Sequence, residues 1–74
     1  MRLTYDKSSN AAYLYLIDNV LPGGVSNTYP CDPLEINGMI NLDFNQSGQL
    51  IGIEVLDARK MLPEEILKKA EVIG

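Results

Sequence analysis

The stretch Met39-Ile40-Asn41-Leu42-Asp43-Phe44-Asn45-Gln46-Ser47-Gly48-Gln49-Leu50-Ile51-Gly52-Ile53-Glu54-Val55-Leu56 decides the fold. In its first part Ile40, Leu42 and Phe44 face one way and Asn41 and Asp43 the other, which is the two-residue period of a strand. Asn45-Gln46-Ser47-Gly48 is a turn with glycine placed for positive φ. Leu50 to Leu56 returns as a second strand, with Ile51, Ile53 and Val55 on one face. Two such runs joined by a short polar turn predict an antiparallel hairpin.

Working outward, Arg2 to Asp6 alternates with Leu3 and Tyr5 on one side, and Ala11 to Ile17 is rich in aromatic and aliphatic residues. The turn cluster Lys7-Ser8-Ser9-Asn10 joins them into another predicted hairpin. Pro22-Gly23-Gly24 marks a loop. Val25 to Tyr29 reads as a further strand that Pro30 and Pro33 end or bend, and a segment so interrupted suits a sheet edge. Leu34 to Gly38 reads as a turn. Beyond Asp57 the pattern changes. Pro63 suits a first helical turn, and Glu64 and Glu65 sit at the positive end of the helix dipole. Ile66, Leu67, Ala70 and Ile73 share a helical face. The fold class predicted is α+β: a small antiparallel β-meander of four or five strands with one C-terminal helix, forming a single domain over residues 1–74.

Composition narrows the function. The chain has 74 residues, ten acidic and six basic, no histidine and one cysteine, for a net charge of −4. Without histidine, Ser-His-Asp and Cys-His catalysis and histidine metal sites are excluded. A lone cysteine excludes an internal disulfide and fits a reducing compartment. The acidic balance disfavours nucleic-acid backbones. No apolar run reaches membrane-span length, and Met1 to Lys7 lacks the apolar core of a signal peptide. A cytoplasmic protein is expected. A chain this short usually needs a staple, a metal or a partner subunit.

The strand at Ala11 to Ile17 points to the partner. Leu14 and Leu16 face one way, Tyr13, Tyr15 and Ile17 the other, so both faces ask for cover. One helix covers one side only. Tyr13, Tyr15 and Ile17 are therefore the interface candidates, and a homodimer, or a complex with another protein chain, is expected.

Other patterns carry less. Asp43, Asn45, Ser47, Gly48 and Glu54 match the spacing of a calcium loop. Strand-like flanks replace the helices that such a loop needs, and an extended strand carries Glu54 away from the turn. No metal and no cofactor are expected. Asp6, Asp43, Glu54 and Asp57 lie near strand ends, where two could pair for acid–base work, but such residues usually cap turns. Cys31 stands beside Asp32 with no basic neighbour and reads as an unreactive loop thiol. Ser8, Ser9, Ser26 and Ser47 have no base to activate them. Tyr13 and Tyr15 resemble a base-stacking platform but lack the surrounding lysines and arginines.

Tyr5-Asp6 with Ala11-Ala12-Tyr13-Leu14-Tyr15-Leu16 resembles the tyrosine-rich first hairpin of the domain-of-unknown-function family numbered 2283. Asn41 to Ala58 resembles its second hairpin, with an acidic turn, a Gly52-Ile53-Glu54 core and an Asp57-Ala58 ending. The segment from Asn19 to Gly38 is longer than usual, the helix from Pro63 is an addition to the shortest members, and Asn45 and Ser47 stand where acidic residues are common. The resemblance implies a small β-meander in a prokaryotic cytoplasm, with no established activity, cofactor or catalytic residue. Small acidic proteins of this sort also serve as partners of another small protein, including as antitoxin-like partners. The residues matching the motif are Asp43, Gly52, Glu54 and Asp57. Gly52 is expected at a bulge or close approach, Glu54 projecting from the sheet, and Asp57 capping a turn. A carboxylate-based enzyme or small-molecule binder using Asp43, Glu54 or Asp57 is the alternative, and a concave pocket grouping two of them would favour it.

Overall fold

A computed structural model describes residues 1–74. Strands β1 (Arg2–Asp6), β2 (Ala11–Tyr15), β3 (Asn27–Pro30), β4 (Met39–Phe44), β5 (Leu50–Leu56) and β6 (Glu71–Ile73) form one sheet in the order β3-β4-β5-β2-β1-β6. Three short helices accompany it: α1 (Pro33–Ile36), α2 (Ala58–Met61) and α3 (Glu64–Lys69). The class is α+β. No helix is long and apolar enough to cross a membrane.

Both predicted hairpins form. The β1–β2 turn is held by Asp6, whose Oδ1 accepts from the Ser8 hydroxyl (2.6 Å) and the Ser8 amide (3.0 Å). The Ser8 hydroxyl is the main reason the Asp6 carboxyl titrates below its ordinary value. The β4–β5 turn is held by Asn45, whose Oδ1 accepts from the amides of Ser47 and Gln49, with Gly48 at φ +80°.

Three features depart from the sequence prediction. First, the sheet is not a meander. β2 pairs with β5, and β3 crosses to the far edge beside β4. The two most apolar strands thereby take central places. The loop from Leu16 to Ser26 supplies the return connection, a Greek-key arrangement. The strand takes the expected edge place, but it runs Asn27–Pro30 rather than Val25 to Tyr29, so Pro30 lies within it instead of ending it.

Second, the C-terminal helix is shorter. It ends at Lys69, and Glu71–Ile73 becomes a strand parallel to β1, so the sheet is mixed and has six strands rather than four or five. The β-branched pair Val72 and Ile73 favours the extended form, and pairing covers the outer edge of β1.

Third, two extra single-turn helices appear. Asp32 caps α1 through the Leu34 amide (3.0 Å), Pro33 takes its first turn, and Asn37 closes it at φ 50°. β2 also stops at Tyr15. β5 carries a bulge opposite Asp43 and Phe44, and Ile17 is left beyond the strand, 42% exposed.

The core lies between the sheet and the pair α2–α3. Tyr5, Ala12 and Val55 stand side by side across β1, β2 and β5, and Ala58 of α2 packs on them at 0% exposure. Small side chains at 12 and 58 let the helix backbone come close. The Ala58 amide donates to the Asn10 carbonyl at 2.9 Å. Leu67 and Ala70 pack against this cluster as the helical spacing predicts.

Candidate functional site

The register sorts the singled-out residues by face. Arg2, Tyr15, Gly52, Asp43 and Thr28 lie opposite one another in one row. Thr4, Tyr13, Glu54 and Asn41 form the next. Both rows are on the side away from α2 and α3. Five of the expected residues (Tyr13, Tyr15, Asp43, Gly52 and Glu54) therefore meet on one open face. Ile17 and Asp57 do not join them.

This face is knit together by side chains. The Tyr13 hydroxyl donates to Asp43 Oδ2 at 2.5 Å, and Thr28 donates to Asp43 Oδ1 at 2.7 Å. Asn41 donates to Glu54 at 2.9 Å. The rings of Tyr13 and Tyr15 lie 4.6 Å apart, tilted by 51°. Arg2 sits over the Tyr15 ring at 5.1 Å and pairs with Glu71 at 2.9 Å. The result is a belt from Glu71 through Arg2, Tyr15, Tyr13 and Asp43 to Thr28, running from one edge of the sheet to the other. Thr4 beneath it is only 3% exposed although no helix lies over it.

Gly52 is where the close approach occurs. A Cβ there would collide with the Tyr13 hydroxyl and come within 2.6 Å of its Cζ. The absent side chain is what lets the ring lie down across β5 and reach Asp43. Partial burial first, then the Asp43 hydrogen bond and charge, hold the Tyr13 pKa above its ordinary value. Tyr13 is thus a protonated donor at neutral pH. Arg2 likewise holds the Glu71 carboxyl below its ordinary value.

Asp57 occupies the position before α2 at φ 52°, but its carboxylate accepts from Asn10 Nδ2 (3.0 Å) and from no backbone amide of the helix. Sequence reasoning missed Asn10. Its Oδ1 accepts from the Tyr5 hydroxyl (3.0 Å) and the Arg59 amide (3.1 Å). The only signal for it was its place at the end of a turn cluster, where Asn tolerates its φ of 53°.

Asp43 and Glu54 share a face but line neither of the molecule's two cavities. No three carboxylate or thiol groups converge as metal ligands do. One cavity, about 310 Å³, opens on the opposite side, between the sheet and α3. Its walls are entirely apolar and include Leu3, Leu14, Ile40, Ile53, Leu62 and Ile66. Leu14 is only half-buried and Ile66 is 40% exposed. The helices thus leave part of the face they cover unsealed, which sequence reasoning did not anticipate.

No curated protein and no solved structure matches the chain. The tyrosine hairpin, the Gly52 approach and the Asp57 ending all fall within a family match over residues 2–59, and the chain belongs to that family, described as Protein of unknown function (DUF2283).

Proposed function

We propose that this chain is a non-enzymatic protein-interaction domain that works as a homodimer, meeting its second copy through the apolar cavity beside α3. The observation that carries this reading is the wholly apolar wall of that cavity, open to solvent. Only seven residues are buried, so a second copy adds to a core that is small by itself.

The tyrosine face is the second surface on which a copy could dock. Half-buried Tyr13 and Tyr15, with Ile17 exposed beyond them, favour it. Sedimentation equilibrium at micromolar concentration separates the two. The expected result is a dimer for the native chain and for Tyr15→Thr, and a monomer for Ile66→Glu. Dissociation by Tyr15→Thr alone moves the interface to the tyrosine face. A native monomer ends the reading.

A further inference from the structure

The larger cavity, about 520 Å³, lies where β1, α2, α3 and β6 meet, and it shares no lining residue with the apolar one. It is open to solvent, and its apolar residues are the buried Tyr5, half-buried Leu67 and exposed Val72. Around it stand Lys7, Arg59 and Lys68, half of the chain's six basic residues. Glu64 is the one acid, and it faces Lys68 at 3.6 Å. Lys7 and Arg59 have no carboxylate within ion-pair distance, in a chain whose acidic residues outnumber its basic ones by ten to six. Arg59 is also oriented, with Nη1 donating to the Tyr5 hydroxyl at 3.3 Å. That contact fixes the guanidinium at the cavity and leaves its other nitrogens unengaged.

Apolar side chains beside two unpaired cations, of which Arg59 is oriented by Tyr5, suit a ligand with a charged head and a greasy body. The volume lies within the range of small-molecule sites, and a guanidinium recognises a planar carboxylate through two parallel hydrogen bonds. We propose that this cavity binds a small organic carboxylate with an aromatic or aliphatic body. The head meets Arg59 and Lys7, and the body lies on Tyr5, Leu67 and Val72. The inference does not depend on the dimer.

Nuclear magnetic resonance titration of the labelled chain with 4-phenylbutyrate, and with the neutral 4-phenylbutan-1-ol, tests it. The carboxylate is expected to give saturable amide shifts at Lys7, Arg59, Leu67 and Val72. The alcohol is expected to bind at least about tenfold more weakly, the loss set by the missing charge-assisted hydrogen bonds. Arg59→Gln is expected to weaken the carboxylate by a similar factor. Lys7→Gln, in an exposed turn, provides a second variant whose fold does not rest on the Tyr5 contact. Equal binding of acid and alcohol, shifts confined to Leu14 and Ile53, absence of saturable shifts, or affinity unchanged in both variants would overturn the proposal.

Discussion

The two sides of this sheet exchange the roles that their residues suggest. The open side carries two adjacent tyrosines and no helix, yet its long side chains bond to one another from edge to edge and shelter the strands beneath. The other side has two helices on it, yet they leave an apolar gap. Cover depends on what a side chain can bond to as much as on what lies above it. A tyrosine brings its own lid when a carboxylate stands within reach of its hydroxyl. A leucine must wait for another element to arrive.

The largest effect should come from breaking the open side at Gly52. Gly52→Val drives the Tyr13 ring off β5 and separates it from Asp43, so overpacking and a lost hydrogen bond add, for about 3 kcal/mol. Thermal unfolding followed by circular dichroism measures this. A variant as stable as the native chain would mean the ring has somewhere else to lie.

The gap comes next. If a second copy seals it, the unfolding midpoint of the native chain rises with protein concentration. Ile66→Glu should remove that dependence while leaving the dilute-limit stability nearly unchanged, because the side chain is 40% exposed within one chain. Calorimetry at several concentrations reads both quantities.

Tyr13→Phe sharpens the comparison by removing only the hydroxyl. A loss of about 1 kcal/mol at neutral pH is expected. The pH dependence has a definite sign. The folded-state pKa is raised, so the contribution is complete below the unfolded value of about 10 and is lost as pH rises through the folded value. Native stability should therefore fall more steeply above that pH than the variant's, and denaturant titrations across the alkaline range check it. The smallest effect is expected at the end of the belt. Glu71→Gln breaks an exposed pair with Arg2, and the change in unfolding midpoint should vanish in moderate salt.

Much of the sheet could be read from alternation. The hairpins at Asp6–Ala11 and Phe44–Leu50 and the edge position of the proline-bearing strand follow from local chemistry. Strand order did not, because the β2–β5 pairing joins residues far apart in sequence and depends on which strands gain most by being central. The Glu71–Ile73 strand was hidden by helical spacing that happens to continue through Ile73. Asp32-Pro33 is a helix-start signal, but four residues of helix are too short to show a period, and the nearby prolines equally suit a turn. The meeting of Tyr13 with Asp43 over Gly52 needed the register, which no single strand reveals.

Asn10 has one more consequence. It finishes a four-residue turn, a thing hairpins ordinarily do unaided, but its amide group is shared with Asp57 and Arg59, 47 and 49 positions later. The earliest bend in the molecule is therefore secured by atoms from the last third of the chain. Such a protein should gain and lose its order in one step, and a cut in the loop from Leu16 to Ser26, which parts Asn10 from Asp57 and Arg59, should leave two fragments that each lack the means to hold a shape.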